Sequence, residues 1–151
     1  MNDQINLKLM PGQLLSRGVC RHLLSYNFVC VEELVPTPGR RVDLMALGPK
    51  GEIWIVECKS SRADFQADRK WQDYLEWCDR YFWAVDGNFP IELLPIKSGL
   101  IIADAYDAEI IRMPTEKKLN SARRKVVIQK FARHAARRDQ AHRDPGVSKF
   151  N

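Results

Sequence analysis

Cysteine and histidine are scarce in this chain and neither is grouped. The four cysteines stand at positions 20, 30, 58 and 78, and the three histidines at 22, 134 and 142. With no CxxC pair, the sequence offers neither a zinc site nor a disulfide framework, and the thiols are expected to be buried and unpaired. Scattered histidines leave a His-based mechanism without a constellation. No apolar run approaches the length of a membrane span. The first residues, Met1-Asn-Asp-Gln-Ile-Asn-Leu7, lack the basic and then apolar stretches of a signal peptide, so a cytoplasmic location is expected. Internal repeats are absent as well, and the longest biased segment is a basic one near the end.

What is present is the composition of an ordinary globular domain: 151 residues, 45% hydrophobic and 28% charged. A single domain over 1–140 is expected, with 141–151 as a disordered tail. The net charge of +5 hides an asymmetry. Between Lys117 and Arg143 stand ten Lys or Arg and one acid, Asp139, so the rest of the chain is net acidic. An acidic body with a basic C-terminal element points to a polyanion, of which nucleic acid is the usual one.

Two apolar runs carry charge inside them: Arg41-Val-Asp43-Leu-Met-Ala-Leu47 and Glu52-Ile-Trp-Ile-Val-Glu57-Cys58-Lys59. Charge in a buried strand is costly unless it is paired or holds a metal. Side chains alternate across a strand, so Glu57 and Lys59 share a face with Ile53 and Ile55, and Cys58 points with Trp54 and Val56 to the other. The pattern is D…ExK on a β-hairpin. An ExK triplet alone arises by chance in about one of every two chains of this length, so context must carry it. Hard Mg²⁺ prefers carboxylate and carbonyl oxygens, which suits Asp43, Glu57 and the backbone carbonyl of Cys58 as ligands. Lys59 would then orient the attacking water and stabilise charge growing on a phosphoryl centre. The bland alternative is a solvent-facing ion pair between Glu57 and Lys59.

Around this hairpin the elements fall into order. Apolar residues at helical spacing from Gln13 to Tyr26 predict an amphipathic helix, followed by a strand over Phe28 to Leu34. Ser61-Arg-Ala-Asp64 matches a capping box opening a helix that runs to about Trp77. On it Asp64, Asp68 and Gln72 would share one face, either beside the metal or as a cap and a solvated partner for Arg69 or Lys70. Tyr81 to Val85 is a further strand, parallel to an earlier one because a helix joins them. Gly99 to Ala103 and Ala108 to Met113 form an added hairpin. From Ser121 to Asp139 a basic amphipathic helix is expected, with Ile128, Phe131, Ala132 and Ala135 on its apolar face. Arg123, Arg124, Lys130, Arg133, Arg137 and Arg138 are its candidate nucleic-acid contacts.

On these residues the chain resembles the PD-(D/E)xK nuclease superfamily, with Asp43 as first acid and Glu57-Cys58-Lys59 as the ExK. More narrowly, Glu57-Cys-Lys-Ser-Ser-Arg-Ala-Asp64-Phe65, continuing to Asp68-Arg-Lys70-Trp71-Gln-Asp-Tyr74 and Cys78-Asp79-Arg-Tyr-Phe82, resembles the MmcB-like DNA repair family of bacteria, over about Leu14 to Arg138. The resemblance implies an α/β fold with a restriction-endonuclease-like αβββαβ core and mixed sheet. It also implies a nuclease-like protein in DNA repair. In two respects the chain departs from the superfamily. The segment Gln13 to Tyr26 contains no acid where many members place one, so a third carboxylate either is absent, which leaves a one-metal site as the expectation, or comes from Glu32, Glu33 or Asp64. Glu32 and Glu33 are adjacent on a strand, so one of them is expected to face away. Gln72 is followed by Glu76, where RecB-like nucleases have Gln-x-x-x-Tyr.

Two functions remain open at this point. One is a Mg²⁺- or Mn²⁺-dependent deoxyribonuclease with Asp43, Glu57 and Lys59 as catalytic residues. The other is a catalytically silent DNA-binding or accessory module for a repair polymerase or helicase. A homodimer or a repair-protein partner fits either one; RNA in place of DNA fits the first equally.

Overall fold

A computed structural model describes residues 10–68 and 70–147. Helix α1 (Pro11–Leu24) starts at Pro11, whose fixed φ suits a first helical turn, and the Met10 N–H donates to the Gln13 side chain at 2.9 Å. Six strands follow: β1 (Val29–Glu32), β2 (Leu44–Leu47), β3 (Ile53–Lys59), β4 (Arg80–Val85), β5 (Gly99–Ala103) and β6 (Ala108–Arg112). They form one sheet in sequence order. Pairing is antiparallel from β1 to β3, parallel from β3 to β5, and antiparallel again between β5 and β6. The order α-β-β-β-α-β with an added hairpin is therefore the one expected, in an α/β fold with a mixed sheet. Among the described residues no helix is long and apolar enough to cross a membrane.

The sheet separates two apolar layers. On one face Leu15, Val19 and Leu23 of α1 pack against Leu44, Trp54, Val56 and Phe82. On the other, Met45, Ile53, Ile55, Tyr81 and Trp83 lie under Tyr74, Val127 and Phe131. All seven residues of β3 are buried, as befits a central strand covered on both faces. Gly18 lets α1 press onto the β5–β6 turn: a Cβ there would lie 1.9 Å from the Asp104 carbonyl oxygen.

Four expectations need correction. The helix after Ser61 does not reach Trp77; α2 covers Arg62–Ala67, and a 3₁₀ helix covers Trp71–Trp77. The break falls at Asp68, whose backbone is extended and whose carboxylate accepts the Lys70 N–H at 3.0 Å, a local bond that competes with the helix. Asp64, Asp68 and Gln72 therefore form no helical row, and Gln72 is exposed. The C-terminal helix α3 runs from Ser121 to Arg143, so 141–143 are helical, and the end of the proposed disordered tail lies outside the described residues. Its buried residues are Val127 and Phe131, while Ala132 is exposed. As for the thiols, Cys58 and Cys78 are buried, whereas Cys20 and Cys30 are only partly so.

Helix α3 is tied to the sheet by one buried acid. Asp79, just before β4, takes two hydrogen bonds of 2.7 Å from the Arg124 guanidinium and one of 2.8 Å from each of the Ile53 and Leu119 amides. Its own amide donates to the Ile53 carbonyl, and its carbonyl accepts the Lys117 amide. Burial alone would raise this carboxyl, but Arg124 and the two amides hold it below the ordinary aspartate value of 3.8. A lowered acid contributes stability above its unfolded pKa and loses it as pH falls through the folded value. Asp79→Ala would leave a half-buried guanidinium and two amides without their acceptor, and urea denaturation at pH 7 should show a loss of about 1–3 kcal/mol. At pH 2 the difference from the natural protein should shrink; a constant deficit would refute the charged-pair account.

Candidate functional site

The carboxyl end of β3 bears charge that the rest of the strand does not. Glu57 and Lys59 are only 5% and 9% exposed, and they emerge on the face of Ile53 and Ile55, as alternation predicts. Cys58 turns to the α1 side, where its sulfur lies 3.3 Å from the Ser16 hydroxyl. In the parallel pairing Glu57 stands opposite Trp83 and Lys59 opposite Val85. The Lys59 ammonium sits 6.0 Å from the Trp83 ring centroid, at the outer reach of a cation–π contact.

Asp43 comes to this end from the neighbouring chain segment. It occupies a bend immediately before β2, and its carboxylate accepts the Cys58 N–H at 2.8 Å while its own N–H donates to Glu57 Oε1 at 3.1 Å. These two crossed bonds bring the acids side by side where the β2–β3 ladder stops. In an extended strand a residue's N–H and C=O leave on the same edge, so the Cys58 carbonyl is directed to the edge that Asp43 occupies.

Electrostatics mark the pair as strained. Burial and the nearby Asp43 carboxylate hold the Glu57 carboxyl well above the usual carboxylate range, and Lys59 only partly offsets them. For Lys59 burial works against the ammonium, yet its contacts with Asp68 at 3.0 Å and Asp64 at 3.9 Å outweigh it, and its pKa is raised. Burial and the charges of Glu57 and Asp43 outweigh the bond from the Tyr74 hydroxyl to the Arg41 carbonyl, 2.9 Å long, and push that phenol up to about 12.

Around these residues opens a cleft of about 410 Å³, bordered by Gln13 and Ser16 of α1, Glu32 and Glu33 at the end of β1, Arg41, and Asp64. Glu32 and Glu33 both border it, and Glu33 lies past the end of β1, so the two are not the adjacent strand pair expected. Strict alternation needs extended backbone, and Glu33 has φ 61°, in the left-handed region. The Glu33 carboxylate lies 3.7 Å from Arg138. Among the described residues no group of three or more His, Cys, Asp or Glu side chains is arranged to hold a metal. Asp68 is not the solvated residue foreseen for it, because its carboxylate is largely covered and bonded to Lys59.

The basic residues of α3 divide by environment. Arg124 is committed to Asp79, and Arg123 stacks on the Trp77 ring at 3.8 Å while bonding the Glu76 carbonyl. Arg133, Arg137 and Arg138 are exposed, and Lys130 is half-buried. His134 reaches the Glu32 carbonyl at 2.7 Å and Arg138 reaches Glu33, so α3 meets the rim of the cleft. Asp79 and His134 carried no signal beyond their residue type; their partners lie 26 and 102 positions away.

Fold and cleft together define a class: an α/β domain in which a buried glutamate and a lysine at the end of the central strand meet a half-buried aspartate, beside a basic C-terminal helix. Within it the chain belongs to the family described as DNA repair protein MmcB-like, which matches residues 9–146. The solved structure of a protein of unknown function from Silicibacter pomeroyi is similar at 72% identity and a TM-score of 0.93, over 95% of this chain and 99% of that one. No curated protein matches the chain.

A raised acid pKa means that stability falls as pH rises from the unfolded value of about 4.5 toward the folded one, because the native state there binds the extra proton. Without added divalent cation, Glu57→Gln should therefore raise the thermal midpoint at pH 7 by about 2–4 °C for each kcal/mol relieved, and by much less at pH 4. A lower midpoint at pH 7 would show that the charged pair is not strained.

Proposed function

We propose that this protein is a metal-dependent deoxyribonuclease of the PD-(D/E)xK type, with a restriction-endonuclease-like core, acting in bacterial DNA repair. The observation that carries the reading is the meeting of Asp43 and Glu57 on the floor of an open cleft, one residue from a lysine that keeps its proton. The family's description as a DNA repair protein and the exposed arginines of α3 support DNA as the partner.

The donor set fits a hard cation. The Asp43 and Glu57 carboxyl groups adjoin, Glu57 is held above its ordinary range for want of positive charge, and the Cys58 carbonyl is directed to the same edge. Asp43, Glu57 and that carbonyl would hold Mg²⁺ or Mn²⁺, which when bound neutralises a phosphate oxygen and lowers the pKa of a bound water. With no third side-chain ligand among the described residues, the site suits one ion completed by water. Lys59, held by Asp68 and Asp64, presents a fixed ammonium to charge that grows on the phosphoryl oxygens.

A specific observation favours a second reading. The Lys59 ammonium is already engaged by two carboxylates, and α1 brings no acid to the cleft. On that reading the fold binds DNA as an accessory to other repair enzymes.

Single-stranded, duplex and branched DNA incubated with Mg²⁺ or Mn²⁺ separates the two. Cleavage that falls by about 10²–10³-fold in both Asp43→Ala and Lys59→Ala is the expected outcome. Salt-sensitive binding without cleavage of any form, unchanged by Glu57→Ala, would sink the nuclease reading and leave recognition.

A further inference from the structure

A second cavity lies away from the carboxylate cleft, on the same face of the sheet but toward the start of β4. It holds about 340 Å³, within the roughly 300–1,000 Å³ of small-ligand sites. Its walls are mostly apolar or aromatic: Trp71 and Leu75 from the 3₁₀ helix, Tyr81 from β4, and Pro95 and Pro114 from the two loops beside it. Trp71 and Tyr81, inclined to each other by 39° at 5.5 Å between ring centroids, line one side of it. Tyr81 is 3% exposed, and its hydroxyl has no hydrogen-bond partner among the described residues.

The surroundings of the mouth are basic and greasy together. Lys97 and Lys117 border the cavity, both exposed and neither in an ion pair with a described residue. The one acid in the wall, Asp79, is neutralised by Arg124. Leu75 is exposed at the mouth, and Ile96, next to Lys97, is 83% exposed, the highest of the large apolar side chains described. A neighbouring hollow shares Leu75 and Lys117 and continues through Lys118 to Arg123, at the start of α3. Lys117, Lys118 and Arg123 outnumber the one acid of that hollow, Glu76, so positive charge predominates from the cavity to the basic helix.

An apolar, aromatic-walled hole with cations only at its rim suits a ligand that is flat and apolar at one end and anionic at the other. We propose that this cavity takes one unstacked base of a nucleic-acid strand, with Lys97 and Lys117 on the flanking phosphates. Stacking on aromatic side chains with lysines on the backbone is how single strands are held without sequence preference. The inference rests on the nucleic-acid partner of the proposed function, and not on its cleavage chemistry.

Fluorescence anisotropy with labelled oligodeoxythymidylate and with an abasic strand of equal length tests it. The natural protein should bind the base-bearing strand about tenfold more tightly, the scale expected for one stacked base. Leu75→Asn should abolish that preference. The double variant Lys97→Ala with Lys117→Ala, at exposed positions, should weaken both strands alike and lower the salt slope by about 1.4. It also keeps the test alive if Leu75→Asn fails to fold. Equal affinity of the natural protein for both strands would overturn the pocket and leave it to an apolar partner group, with the cleft reading untouched. Binding to neither strand would remove the nucleic-acid reading itself.

Discussion

Asp79 is the point at which four separate stretches of chain are made to agree. Its carboxylate and backbone bind the start of β3, the segment from Lys117 to Leu119, and Arg124 on α3, while its own position just before β4 places it at the parallel crossover. A buried carboxylate with four donors has few alternative arrangements, because any other would leave amides or a guanidinium without an acceptor. The axis of α3 and the distance of its basic surface from the sheet follow from this. So does the path of the 117–119 segment, which forms part of the rim of the apolar cavity and of its neighbour.

At the other end of the central strands the balance runs the opposite way. Asp79 is a buried acid with a full set of partners, and its pKa is lowered; Glu57 is a buried acid set against another acid, and its pKa is raised. Burial pushes both upward, Glu57 more strongly. What differs is the count of donors, and an acid that the fold leaves short of positive charge is one prepared for a charge from outside. Lys59 does not fill that deficit, because Asp68 and Asp64 draw its ammonium toward α2 and the segment after it. The break in the helix at Asp68 therefore belongs to the site: an unbroken helix would have carried Asp68 along its own face and not back onto Lys59.

Much of this architecture can be read along the chain. Alternation in Ile53 to Lys59 places Glu57 and Lys59 on one face and Cys58 on the other, and the contacts agree. The helix between β3 and β4 implies their parallel pairing, and the turn Asp104 to Asp107 marks the added hairpin. Reading fails where a side chain leaves the local rule. Glu33 abandons alternation by taking a left-handed backbone, and Asp68 ends a helix that its neighbours would continue. Arg124 looks like its neighbours on a basic helix, yet it is spent on Asp79. Ala132 and Val127 exchange roles on α3, since the docking face is chosen by the sheet it meets and not by the stripe alone.

Local chemistry along the chain is sufficient for the identity and order of the elements, the two-faced burial of β3, and the presence of Asp43, Glu57 and Lys59 near one another on a hairpin. These follow from side-chain periodicity and short-range turns, which involve residues a few positions apart. The crossed hydrogen bonds between Asp43 and the Glu57-Cys58 segment, the diversion of Lys59 to Asp68, and the anchoring of α3 through Asp79 and His134 were settled only in three dimensions. So was the cavity between the 3₁₀ helix and the two loops. Each depends on which groups find a partner once water is excluded, and that competition is between residues as many as 102 positions apart, whose meeting no local pattern encodes.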